Sequence, residues 1–64
     1  MTYYADVWDG TLSHDGLGIS AAANEAEAVQ EAKAWAKSLD SVPENAWLRV
    51  NINGTIRSFR FGEF

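Results

Sequence analysis

The chain has 64 residues, a formal net charge of −4 and no cysteine. That length allows one domain near the lower limit for folding without staples, and the missing thiols exclude a disulfide framework and a thiolate metal site. The acidic balance works against phosphate attraction, and no run approaches the ~18 apolar residues of a membrane span.

The opening segment, "YYADVWDGTLSH", alternates and contains Asp9-Gly10, a pair favoured in two-residue hairpin turns. A turn there places Trp8 opposite Thr11, Val7 opposite Leu12, Asp6 opposite Ser13 and Ala5 opposite His14. Tyr3, Ala5, Val7 and Leu12 then face inward, while Tyr4, Asp6 and Trp8 face the other way. The glycines of "DGLGIS" are expected to end the returning strand.

A helix follows. Ala28, Val29, Ala32, Trp35, Ala36 and Leu39 fall within about 120° of one another at about 100° per residue, an amphipathic stripe. Asn24, with Glu27 three residues on, forms a variant of the capping box. Early Glu25 and Glu27 and late Lys33 and Lys37 complement the helix dipole. Pro43 cannot continue the helix.

The closing segment, "AWLRVNINGTIRSFRF", is two β-prone runs around Asn53-Gly54, a type I′ turn signal. That turn sets Ile52 opposite Thr55, Val50 opposite Arg57, Leu48 opposite Phe59 and Ala46 opposite Phe61. Ala46, Leu48, Val50, Ile52, Phe59 and Phe61 form the core face. Trp47 with Arg60, Arg49 with Ser58 and Asn51 with Ile56 form the other. The expected fold is α+β: a β-β-α-β-β two-layer domain over residues 1–64, an antiparallel sheet with one helix packed on one face.

Charge is divided unevenly along the chain. Residues 1–32 hold Asp6, Asp9, Asp15, Glu25, Glu27 and Glu31 and no base. Residues 33–64 hold Lys33, Lys37, Arg49, Arg57 and Arg60 against Asp40, Glu44 and Glu63. Such asymmetry predicts a polarised surface that attracts basic protein surfaces.

Site chemistry is sparse. Asp6, Asp9, His14 and Asp15 lie close in sequence, but valine, tryptophan and leucine occupy positions where a calcium loop needs oxygen ligands. One histidine without cysteine is too few ligands for zinc, so no metal is expected. Ser13, His14 and Asp15 are consecutive, and on an extended strand they alternate faces and form no relay. No glycine-rich loop leads from a strand into a helix, so no phosphate cradle, cofactor or enzymatic activity is expected. Trp47, Arg49 and Arg60 on the outer sheet face have the chemistry on which single-stranded bases stack. The competing reading is structural: a cation–π pair of Trp47 and Arg60, with Asp6 neutralising an arginine. Glu27 and Glu31 are like charges at i,i+4, a spacing that costs helix stability and points to use.

"YYADVWDGTLSHDGLG", the helix "NEAEAVQEAKAWAKSL" and "LRVNINGTIRSFRF" together resemble a family of short uncharacterised bacterial proteins. Those begin with an aromatic pair, a valine and Asp-Gly, continue with Asp-x-x-Gly and a helix, and end in a hairpin. Asp6, Val7, Asp9-Gly10 and Asp15 match. Asp15-Gly16-Leu17-Gly18 departs, being less acidic than that family's segment, and no activity comes with the resemblance. By type alone, through its size, its acid-rich half and its lack of an active site, the chain is similar to the small acidic anti-CRISPR proteins of phages and mobile elements. That likeness implies a non-enzymatic, protein-binding inhibitor of DNA-mimic type, meeting the basic nucleic-acid groove of a CRISPR effector. The expected contact set is Asp6, Asp9, Asp15, Glu27 and Glu31. The alternatives are a sheet-face binder of single-stranded nucleic acid or a ligand through Trp47, Arg49 and Arg60, and a small bacterial accessory protein. The start "MTYYADVW" lacks the basic start and apolar run of a signal peptide, so a monomer in the cytoplasm (the host's, if phage-encoded) is expected.

Overall fold

The computed structural model describes residues 3–20 and 22–64; Met1, Thr2 and Ala21 lie outside them. Strands β1 (Tyr3–Trp8) and β2 (Ser13–Ile19) precede helix α1 (Glu25–Ser38), and β3 (Trp47–Ile52) and β4 (Thr55–Arg60) follow it. All neighbours pair antiparallel, in the order β2-β1-β3-β4. The fold is therefore the expected α+β arrangement, with both hairpins in one sheet.

The second hairpin forms as its turn chemistry demands. Asn53 and Gly54 have φ of 53° and 96°, the left-handed pair that type I′ requires. Asn51 Oδ1 accepts from the Gly54 N–H at 2.8 Å and supports the bend. Every pair from Trp47–Arg60 to Ile52–Thr55 falls in the expected register. Leu48 and Val50 are fully buried, and Ala46 and Ile52 nearly so.

Helix α1 starts where its cap specifies. Asn24 is extended and its side chain accepts from the Glu27 N–H at 3.0 Å. The Glu27 carboxylate reaches back one residue further than in a capping box, to the Ala23 N–H at 3.3 Å. Ala28, Val29, Ala32 and Ala36 are buried against the sheet, and Trp35 sits at the margin of the core cluster. Alanine dominates the stripe, so the helix backbone lies close to the strands.

The first hairpin differs from expectation. Val7 faces Asp15 rather than Leu12, Asp6 faces Gly16 rather than Ser13, and Ala5 faces Leu17 rather than His14. Trp8 faces Ser13, and a bulge lies between Val7 and Trp8, which makes His14 the extra residue. The cause is the Asp9 side chain. Its Oδ1 accepts from the N–H groups of Thr11 (2.8 Å) and Leu12 (2.7 Å), while the Asp9 N–H donates to the Leu12 carbonyl (3.1 Å). Asp9 through Leu12 thus close a four-residue turn. Leu12, expected inside, is 63% exposed. The glycines do not end the strand: "DGLGI" belongs to β2, with Leu17 and Ile19 filling the inward face instead. Gly16 lies under the Tyr4 ring, where an added Cβ would sit 2.1 Å from the phenol oxygen. A close approach of this kind admits a side chain at Gly16 only when the Tyr4 ring moves aside.

Candidate partner-binding surfaces

Strand alternation puts Tyr4, Asp6 and Trp8 of β1 on the face away from the helix, beside Asn51, Arg49 and Trp47 of β3 and Ile56, Ser58 and Arg60 of β4. At its centre Asp6 is buried to 7% exposure, and Arg49 grips it with two bonds. Arg49 Nε donates to Oδ1 at 2.9 Å and an Arg49 terminal nitrogen to Oδ2 at 2.5 Å. This two-pronged geometry is the strong form of a carboxylate–guanidinium pair. The Arg49 bond, aided by one from Ser13, holds the Asp6 carboxyl below its ordinary range against the opposing effect of burial. Asp6 in turn raises the Arg49 pKa. The Arg49 guanidinium also lies 4.6 Å from the Trp8 ring centroid, and Arg60 lies 5.1 Å from that of Trp47.

Trp47, Arg49 and Arg60 are therefore brought together on one face, and the Trp47–Arg60 and Asp6–Arg49 pairings take the form expected of a structural role. With Arg49 neutralised by Asp6, Arg60 is the one cation on this face, among the described residues, that is not bound to a carboxylate. A shallow hollow of about 220 Å3 opens between Tyr4, Asp6, Arg49, Asn51 and Ile56.

The acidic residues do not gather into one cluster. Asp6 belongs to the outer face and its charge is spent on Arg49. Asp9 is committed to its turn: besides the two backbone bonds, its Oδ2 accepts from His14 Nε2 at 2.7 Å. The His14 bond first, and the Leu12 and Thr11 amides after it, lower the Asp9 pKa to about 2. Asp15, Glu27 and Glu31 remain, on the helix-bearing side of the molecule. Glu31 lines a hollow of about 400 Å3 between α1 and β2, with Leu17, Gly18, Ile19, Ala34 and Trp35. Glu27 lines an adjoining one that shares Glu31 and Ala34. Asp15 shares the inward face of β2 with Leu17 and Ile19.

Bases occupy the opposite flank of the helix. Lys33 Nζ lies 4.4 Å from the Phe59 ring centroid and Arg57 5.4 Å from it, on β4. Arg57 also binds Glu25 at 3.0 Å. The uneven charge of the sequence thus becomes a lateral gradient, with Asp15, Glu27 and Glu31 toward the β2 side and Lys33 and Arg57, the latter paired with Glu25, toward the β4 side.

The α1–β2 hollow escapes a reading that stops β2 at its glycines. The signal for it was present in "DGLGI", where Leu17 and Ile19 alternate with glycine at strand period. Among the described residues no three His, Cys, Asp or Glu side chains converge as metal ligands, and no helix is long and apolar enough to cross a membrane. In comparisons with known proteins, no family model, curated protein or solved structure matches the chain.

Proposed function

We propose that the chain is a small, non-enzymatic protein-binding module of inhibitor type, whose β2-side flank presents Asp15, Glu27 and Glu31 to a basic protein surface. The observation that supports this reading is the gradient of charge across the sheet. The three carboxylates are exposed on the β2 side, while Lys33 and Arg57 gather over Phe59 on the β4 side. An oriented field of this kind accelerates encounter with a basic partner and fixes its orientation. Asp6, buried against Arg49, and Asp9, held by the amides and His14 of its turn, leave the contact set. The nucleic-acid groove of a CRISPR effector is a surface of matching chemistry, and is the partner implied by the likeness in type.

The test is association of the purified chain with guide-loaded CRISPR effectors, read by target cleavage and by binding rate. The reading expects inhibition that weakens tenfold or more as salt rises from about 0.05 M to about 0.3 M, and that disappears when Asp15, Glu27 and Glu31 are all changed to lysine. Inhibition indifferent to salt and to charge reversal refutes the acidic contact; no inhibition of any effector refutes the anti-CRISPR assignment.

A second reading has its own support. The outer face combines Tyr4, Trp8, Trp47 and Arg60, residue types that dominate binding hot spots, and Tyr4 and Ile56 are 50% and 54% exposed. Titration with single-stranded oligonucleotide, followed by tryptophan fluorescence, tests it: quenching lost in Trp47→Ala supports it, and an unchanged spectrum at low salt rules it out.

A further inference from the structure

Strand β2 is a free edge of the sheet. In a two-residue hairpin the residues flanking the turn are a hydrogen-bonded pair, here Ile52 and Thr55. Alternation then makes Val50–Arg57 and Leu48–Phe59 bonded pairs, and the Phe61 N–H to Ala46 carbonyl bond at 3.5 Å continues the same set. Trp47, Arg49 and Asn51 consequently turn their backbone groups toward β1, onto Trp8, Asp6 and Tyr4. That leaves Tyr3, Ala5 and Val7 to bond with Ile19, Leu17 and Asp15 of β2.

Gly16 and Gly18 are left with their N–H and C=O groups aimed out of the sheet. One contact agrees directly with this assignment. The Gly16 N–H is taken by the neighbouring Asp15 Oδ1 at 2.9 Å, as befits an amide that β1 does not use. The other edge, β4, carries Arg57 and Arg60, and charged side chains of this kind discourage strand addition. At β2 the two outward-facing residues are glycines, and Gly18 has open space around its Cβ position.

We propose that β2 pairs with an extended segment of a partner protein, whose helix-facing side chains are apolar opposite Leu17 and Ile19 and basic opposite Asp15. This rests on the reading above that the β2 flank is the contact surface, and it names the form of the partner. Side chains directly opposite on paired strands share a face. Those opposite Leu17 and Ile19 therefore enter the hollow bounded by Ala34 and Trp35. Charge complementarity selects the rest: Glu31 lines that hollow and Asp15 lies further along the same face of β2. Backbone bonds to Gly16 and Gly18 supply affinity, and the hollow with its acids supplies selectivity. Asp15 leaves the Gly16 amide and meets the incoming base.

The probe is a capped peptide reading threonine, valine, threonine, valine, threonine, lysine, threonine, for antiparallel addition. Amide shifts and hydrogen exchange of the whole chain report binding. The proposal expects slowed exchange at Gly16 and Gly18, and binding weakened about fivefold or more when glutamate replaces the lysine. Gly18→Pro, which removes an edge amide that the sheet does not use, and Ala34→Arg, which fills the hollow from the exposed helix surface, should each abolish binding with the remaining spectrum unchanged. Protection absent from Gly16 and Gly18, whether or not the peptide binds elsewhere, overturns strand addition. Equal binding of lysine and glutamate peptides with that protection present overturns the acidic-flank reading and leaves the edge pairing. Pairing of β2 with a second copy of the chain, seen as concentration-dependent dimerisation lost in Gly18→Pro, overturns the partner-segment assignment.

Discussion

Arg49→Ala should be among the most damaging single changes on the helix-free face. It leaves the Asp6 carboxylate, 7% exposed, without the two guanidinium bonds that hold it, and it removes the stack on Trp8. Breaking a fully buried ion pair costs about 3–5 kcal/mol. The Arg49 side chain retains 27% exposure, so water reaches the site once the arginine is gone and the expected loss is about 2–3 kcal/mol. A chain of this size has a total stability of roughly 3–10 kcal/mol, so the variant sits near the edge of folding. The loss should depend on pH. Asp6 has a depressed pKa in the folded protein, so its contribution is present above the unfolded carboxyl pKa, near 4, and disappears as pH falls through the lower folded value. In the variant the same carboxyl is buried without its cation and protonates early, so the gap between variant and parent should narrow below about pH 4. Urea unfolding followed by far-UV circular dichroism, at neutral pH and again in acid, measures both effects. With a slope of about 1 kcal/mol/M, the neutral-pH midpoint should fall by about 2–3 M. A shift under about 0.5 M, or a gap that stays constant into acid, refutes the assignment of Asp6 and Arg49 as a structural pair.

Other outcomes follow from the turns. The Asp9 carboxyl should titrate at about 2 by carbon-detected NMR, and the stability it lends should be present above about pH 4 and vanish as pH falls from there through the folded value of about 2; an ordinary carboxylate titration would contradict the turn geometry. Gly54→Ala, at a φ of 96°, should cost about 1–2 kcal/mol in thermal unfolding, although open space surrounds the new methyl group. Gly16→Ala should displace the Tyr4 ring, at a cost of about 1 kcal/mol because a side chain yields where a backbone would not. Unchanged Tyr4 ring shifts in that variant would show that the ring does not rest on Gly16.

How far the sequence could be read depended on how local each signal was. Asn53-Gly54 sets its own register because two left-handed residues admit one tight turn, and every pair in β3–β4 follows from it. Asn24 and the alanine stripe likewise place α1 from contacts within the helix. Asp9-Gly10 offers the same dipeptide signal and leads to a different turn, because the Asp9 carboxylate binds the amides of Thr11 and Leu12 and lengthens the loop. The register moves by three residues, an odd number, which exchanges the faces of β2 and sends Leu12 outward in favour of Leu17 and Ile19.

Composition and spacing by themselves determined the element order, the inward face of β3 and the uneven charge of the two halves. They carried no information on where the acids would lie in space, because that depends on the strand order. Tertiary structure decided it. Setting β1 against β3 places Asp6 directly opposite Arg49 and cancels both charges, a pairing between residues 43 apart in the chain. The same order leaves β2 as an edge, with the amides of Gly16 and Gly18 turned outward and an acidic helix flank above it. A local pattern specifies how each strand alternates; only assembly of the sheet determines which neighbour satisfies each side chain and which backbone groups are left to face a partner.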